Sequence, residues 1–294
     1  MKNNIKKNII NISVGLIVVF IFVSAITNPK AKGFYWKATK GDNSVYLIGT
    51  THSVQKNLDF KNKNLEKVLL DTQALALEVN FFTDKKIIEE RESQKESLKL
   101  EKGELKDFLS KEEQNKLNSL LSYFDIDYSS VANQSPEGFN GLIGVMMSYK
   151  AGLTESGLDS YLAHTYEEQG KKIDSLESRE FQESILKSDV EDFKDLVNSF
   201  NKKDMDDQIE FQKEFTDAFI DGDEKFMERT VEKYETKESR EINKNRNENM
   251  ANKIDELVKG DKKYAIAVGT YHFFGKDSII KELESKGYKV DRIS

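Results

Sequence analysis

Two of the three histidines in this chain stand in the same phrase. Residues 45–53 read V-Y-L-I-G-T-T-H-S and residues 265–273 read A-I-A-V-G-T-Y-H-F, so an apolar run, Gly-Thr and one further residue precede both His52 and His272. Imidazole titrates near neutrality and is a common metal ligand, so a matched pair can move protons or hold a divalent ion. Two carboxylates stand at comparable places: Glu78 near the end of A-L-A-L-E-V at 74–79, and Glu177 after Leu176. An unpaired buried carboxylate is costly, so Glu78 must be paired, protonated, metal-bound or at a sheet edge. Turning it to solvent by strand alternation is the plainer alternative, but an exposed face would show polar residues at Ala74 and Ala76 as well. His164 lies in a helical stretch with no glycine before it and is read as structural. Asp159 falls in the first turn of the same helix, where the helix dipole suffices to explain it.

The elements that must carry these groups are legible. Apolar runs ahead of Gly49 and Gly269 suggest strands buried on both faces, as in a parallel sheet covered by helices. A glycine at such a strand end permits a sharp turn or a close backbone approach. The next residues then stand at the sheet's carboxyl edge, where open α/β sheets place their ligands. Residues 34–48 read as strand, turn, strand, and 64–71 as a helix. Residues 81–135 are polar with apolar positions at helical spacing, which predicts surface helices capping the sheet. Ser135-Pro136-Glu137 starts a helix to about Lys150. Residues 157–178 read as a helix ending near Gly170, then a short strand ending at Leu176-Glu177. Residues 180–258 are long, polar and helical, with Arg246-Asn247 and Met250-Ala251 opening the last helix. After His272 come Asp277 as an N-cap, a helix, and a strand from 288 to 293; this short crossover predicts parallel neighbours. The fold class is therefore α/β, a mostly parallel central sheet flanked by helices, with helical insertions at about 81–150 and 180–245.

Composition sets the outer limits. The chain has 294 residues, enough core for one large or two small domains. With 33% charged and 37% apolar residues it is globular and helix-rich. A net charge of -7 argues against nucleic acid as a partner. The absence of cysteine removes disulfides, thiolate metal sites and thiol nucleophiles. Lys2, Lys6 and Lys7 precede an uncharged apolar segment at 9–26, and Lys30 and Lys32 follow it. Residues 1–32 are read as a signal anchor or signal peptide, with the uncleaved anchor favoured. The first residues then lie in the cytoplasm, and the domain from residue 33 lies outside on a single pass through the cell membrane, or is secreted if the segment is cleaved.

The set of motifs resembles the TraB/GumN family, which includes the Tiki proteases, and the likeness covers most of the chain after the apolar segment. It runs through Gly49 to His52, Leu77-Glu78, Gly157 to Asp159 with Gly170-Lys171, Leu176-Glu177, Arg246-Asn247 with Met250-Ala251, and Gly269 to His272 with Gly275 and Gly287 to Val290. Ser178 stands where threonine is usual in the family. A remoter similarity joins the family to erythromycin-esterase-like proteins. The resemblance implies a membrane-tethered, metal-dependent hydrolase, a peptidase acting on a peptide or protein, with manganese or cobalt as the ion.

Read from the residues, His52, Glu78 and His272 could ligate a divalent ion that activates water and polarises a carbonyl, with Glu177 moving protons. Arg246 and Asn247 could stabilise an oxyanion or hold a substrate carboxylate, although a salt bridge at a helix start explains Arg246 as well. Two alternatives stay open. One is a metal-free esterase-like hydrolase with His52 as general base assisted by Glu78. The other is a non-catalytic module that binds or blocks a peptide pheromone, which the likeness to TraB would allow.

Overall fold

The computed structural model describes residues 29–293. The apolar segment at 9–26 lies outside the described residues, and among those described no helix is long and apolar enough to cross a membrane.

The strands are β1 (Phe34–Lys40), β2 (Asn43–Thr50), β3 (Val54–Gln55), β4 (Ala74–Leu77), β5 (Leu153–Thr154), β6 (Lys172–Ser175), β7 (Tyr264–Gly269) and β8 (Lys289–Arg292). Six of them form one sheet in the order β6-β4-β7-β2-β1-β8, while β3 and β5 make a small antiparallel pair beside it. Pairings β6 with β4, β4 with β7 and β7 with β2 are parallel. Pairings β2 with β1 and β1 with β8 are antiparallel. The sheet is therefore mixed, where a mostly parallel one was expected. The cause lies in the hairpin: Lys40 pairs with Asn43 across a two-residue turn whose Gly41 has a φ of 58°, and so tight a connection reverses the chain. The expectation that β8 neighbours β7 also fails. β8 runs in the same direction but sits beyond β2 and β1, on the outer edge that the hairpin offers.

The four parallel strands β6, β4, β7 and β2 end on one edge, and the central residues of β4, β7 and β2 are sealed, while β6 at the sheet's border is partly exposed. Leu47, Ile48, Ala74, Leu75, Ala265 and Ile266 have no exposed surface. Helix Leu158–Glu168 packs on β4 and β6, and helix Lys237–Val258 on β2 and β7, which is why β4, β7 and the second half of β2 read as unbroken apolar runs. Helix Lys237–Val258 starts well before Arg246, at a capping box between Thr236 and Ser239. Within residues 81–135, expected to cap the sheet, the stretch from Leu105 onward does not. Leu105, Leu117, Leu120, Phe124, Phe139 and Ile143 close instead on Phe193, Val197 and Met205, a second core made by the two helical stretches against each other.

The two Gly-Thr phrases interlock. Thr50 pairs with Gly269 in the parallel ladder, and the Thr270 hydroxyl donates to the Thr50 carbonyl at 2.8 Å. A Cβ on Gly49 would stand 3.0 Å from Thr270 Oγ1 and 3.1 Å from Phe34 Cβ. Glycine is thus required by close approach rather than by a turn. Gly49→Ala is expected to destabilise the fold by roughly 1–3 kcal/mol through overpacking, read as a lower midpoint in urea with unchanged slope; an unaltered midpoint would mean the two phrases are not in tight contact.

Candidate functional site

Each of the four parallel strands delivers a polar group to the same edge. Glu78 is the first residue after β4. Gly269 Nα donates to its Oε1 at 2.6 Å, so the last residue of β7 holds it directly. Its Oε2 accepts from Arg246 Nη2 at 3.0 Å and from Gln182 Nε2 at 2.8 Å. Glu177, just past β6, sits alongside because the β4–β6 ladder continues, its amide donating to the Glu78 carbonyl at 2.9 Å. Arg246 grips Glu177 with two nitrogens, Nε at 3.0 Å and Nη2 at 2.8 Å, and Gln182 donates to Glu177 Oε2 at 3.0 Å. Arg246 thus stands mid-helix and pairs two acids across the chain, not at a helix start.

The Glu78 side chain is 15% exposed, that of Glu177 4% and that of Arg246 12%, so this is a buried charge cluster. Burial alone would push the Glu78 carboxyl up. The charge that His272 carries once it is protonated in acid, the Gly269 N–H, Arg246 and the charged His52 act against burial and hold Glu78 below the usual carboxylate range.

His272 is buried in a short 3-10 turn, Thr270–Phe273, that follows β7. Its tautomer follows from its neighbours. Asn247 Nδ2 donates to the Asp277 carbonyl at 2.7 Å, which turns Asn247 Oδ1 toward His272 Nδ1 at 2.6 Å. Oδ1 can only accept, so His272 carries its proton on Nδ1 and its lone pair on Nε2. Burial, the largest influence, pushes the His272 pKa down against the charge of Glu78, so the ring is neutral at neutral pH. A Cβ on Gly269 would stand 3.0 Å from Glu78 Oε1 and 3.7 Å from His272 Cδ2, which measures how near these two groups lie. Asp277, expected as an N-cap, accepts from Arg240 at 2.8 Å, and Ser278 caps helix Ile279–Ser285.

His52 has the opposite environment. Its side chain is 76% exposed, and its Nδ1 is hydrogen-bonded to the Asp159 carboxylate, which is 6% exposed. That bond, reinforced by the charges of Asp159 and Glu78 and opposed by desolvation, raises the His52 pKa from 6.5 to about 9. Asp159 is therefore more than a helix-dipole residue. It reaches His52 because the helix start rests on the strand end: Leu158 donates to the Thr51 carbonyl at 3.1 Å, and a Cβ on Gly157 would fall 1.9 Å from that oxygen. The dipole reasoning stopped at the helix and missed that contact, although Gly157 to Asp159 was a motif. Gln182, on helix Arg179–Leu186, had no signal in the sequence at all. His164 is exposed, 3.8 Å from Glu167, and far from this chemistry.

His52, Glu78, Asp159 and Gln182 line a small hollow with Phe81 and Phe82. His272 and Asn247 border a second, larger groove. Glu78 is the member close to both imidazoles.

The donor chemistry suits a divalent ion, because both histidines have Nδ1 tied to an oxygen and Nε2 without a partner among the described residues. The arrangement suits it less. Among the described residues no three of His, Asp and Glu stand close enough together to hold an ion, and Glu78 is already neutralised by Arg246.

The model of the TraB/PrgY/gumN family matches residues 34–292. Neither the comparison with curated proteins nor that with solved structures gave a match.

Removing the cation from the cluster isolates the role of pairing. Arg246→Leu leaves two buried acids uncompensated and is expected to cost roughly 3–5 kcal/mol at neutral pH. Glu78 in the native protein has a depressed pKa, so its contribution is present above its ordinary 4.5 and is lost as pH falls through the folded value. The difference between wild type and Arg246→Leu in urea should therefore shrink on acidification below 4.5; a difference that stays constant with pH would show that the guanidinium matters only for packing.

Proposed function

The chain belongs to the TraB/PrgY/gumN family, and from that premise we propose that the carboxyl edge of its sheet is the active site of an acyl hydrolase acting on peptides. We place the domain outside the cytoplasm, tethered by the apolar segment at 9–26, on the strength of the lysines that precede it. The observation that carries the hydrolase reading is a pair of imidazoles in opposite surroundings with Glu78 near both, His52 exposed on the buried Asp159 carboxylate and His272 buried on the Asn247 amide oxygen. Groups whose environments drive their pKa values apart are the usual mark of an acid and a base working together.

In this reading His272 is the base, not His52. Its Nε2 lone pair takes a proton from water as the water oxygen bonds to the acyl carbon, and the Glu78 charge stabilises the imidazolium that forms. His52, protonated and exposed, donates from Nε2–H to the carbonyl oxygen as negative charge develops there. The proton on His272 then passes to the leaving amine as the C–N bond breaks. Arg246, Glu177 and Gln182 keep Glu78 charged and fixed, and Asn247 holds the His272 tautomer; they are positioning residues.

The pH profile tests these assignments. kcat/KM against peptide is expected to rise as pH passes through the lowered His272 value, below 6.5, and to fall as His52 loses its proton near 9. Asp159→Asn should bring the alkaline limb down toward 6.5, the ordinary value for His52. His272→Ala should lower kcat by roughly 10²–10⁴-fold, the usual worth of general base catalysis. Alanine variants of both histidines that retain peptide capture, from a wild type that turns nothing over, would assign the chain to peptide binding instead.

A second reading is favoured by the engaged Nδ1 atoms of both histidines, which leave Nε2 as in metal-ligating histidines. Here His52, His272 and Glu78 would hold a divalent ion, manganese or cobalt by the family likeness, which would supply Lewis acidity toward the carbonyl and toward water. Elemental analysis before and after chelation separates the two readings. Turnover that persists in metal-free protein supports the acid–base pair; stoichiometric metal, with turnover lost on its removal and restored on its return, supports the ion.

A further inference from the structure

The groove beside His272 has a volume of about 360 Å³, at the small end of the roughly 300–1,000 Å³ typical of small-molecule sites. Its walls are aromatic and aliphatic, with Val231 and Tyr234 from helix Glu224–Tyr234 facing Tyr271 and Phe274. Tyr234 is 52% exposed and Tyr271 39%, large rings that a soluble domain would ordinarily cover. They are nevertheless fixed from behind. Tyr271 stacks on Phe215 at a centroid distance of 5.0 Å, and Tyr234 packs against Phe211 at 4.8 Å, both from helix Lys202–Asp221. Rings held this way offer contact area with little further loss of conformational freedom.

One end of the groove is polar. Asn243, half-buried one turn before Asn247 on the same helix, lines it and has no side-chain partner among the described residues, so its amide can meet a peptide N–H or C=O. The wall opposite is brought in by Gly275, which has a φ of 83° and where a Cβ would lie 2.9 Å from Val231 Cγ1. Arg240 occupies Glu235 and Asp277, so the acids at the rim are neutralised and Lys244 and Lys276 remain unmatched among the described residues.

We propose that this groove is the side-chain subsite of the peptide substrate, and that it selects an aromatic or large aliphatic residue beside the bond presented to His272. The inference rests on the hydrolase reading for its catalytic sense, but binding at the groove can be measured without turnover. Burying one such side chain discriminates by roughly 10–200-fold in kcat/KM.

The full chain is assayed with two pentapeptides that differ only in having phenylalanine or glycine at the centre, and the binding of both is measured by calorimetry. Wild type is expected to favour the phenylalanine peptide by at least tenfold. Asn243→Trp, which fills the groove from a half-buried helix position, should bring the two peptides to within about twofold of each other. Tyr234→Ala, which removes an exposed wall and leaves the core untouched, should weaken the preference in the same direction. If neither peptide is hydrolysed but the phenylalanine peptide binds wild type and not Asn243→Trp, the subsite stands and the hydrolase reading falls. Equal treatment of the two peptides by wild type, or a preference undisturbed by both substitutions, overturns the subsite.

Discussion

The Glu78 carboxylate, seated where β4 ends, accepts from the Gly269 backbone, from Arg246 and from Gln182. A charge in that position is largely withdrawn from water, and a carboxylate left there alone would either take up a proton or disrupt the strand end. The protein meets the constraint with partners from three separated parts of the chain. Arg246 comes from a helix, Gln182 from the helix that follows β6, and Gly269 from the neighbouring strand β7, while Arg246 and Gln182 also hold the second acid, Glu177. Because every partner must be present at once, the cluster fixes the relative placement of those elements along the sheet's carboxyl edge. Its net effect is specificity of arrangement as much as stability, since a hydrophobic substitute of the same shape could pack equally well.

Around that fixed charge the histidines acquire different characters from nearly identical local sequence. His272 follows β7 into a buried turn, where desolvation disfavours its charged form and Asn247 dictates which nitrogen carries the proton. His52 follows β2 out toward solvent, but lands on a buried aspartate that favours the charged form. The contrast originates in what packs over each strand end: helix Lys237–Val258 beside β7, and the amino end of helix Leu158–Glu168 beside β2. A duplicated phrase has thus been placed in two electrostatic settings, one that favours the charged ring and one that favours the neutral ring.

The helical stretches between the strands do two unlike jobs. Those around 105–143 and 190–205 bury their apolar faces in each other and make a second core away from the edge. Helices Lys202–Asp221 and Glu224–Tyr234 turn an aromatic row toward the His272 side instead, where Phe211 and Phe215 back the exposed Tyr234 and Tyr271. The second helical stretch therefore serves both the second core, through residues 193–205, and the aromatic row beside His272, with a break at Gly222, whose φ of 65° ends the longer helix.

The sequence by itself determined the strands, the edge and most of the groups on it. Unbroken apolar runs ending in Gly-Thr point to strands buried on both faces, and a carboxylate at the end of such a run has to be satisfied, so His52, Glu78 and His272 were readable from pattern and desolvation cost, and Glu177 from its place at the end of a short strand. The family likeness was readable too, because its motifs keep their order along the chain. Tertiary structure alone decided which partner each group received. That Asp159 serves His52, that Asn247 sets the His272 tautomer, that Gln182 bridges two acids and that β8 pairs with β1 instead of β7 all depend on contacts between residues far apart in the chain. Local periodicity reports which face of an element is buried, and it carries no information about what is buried against it.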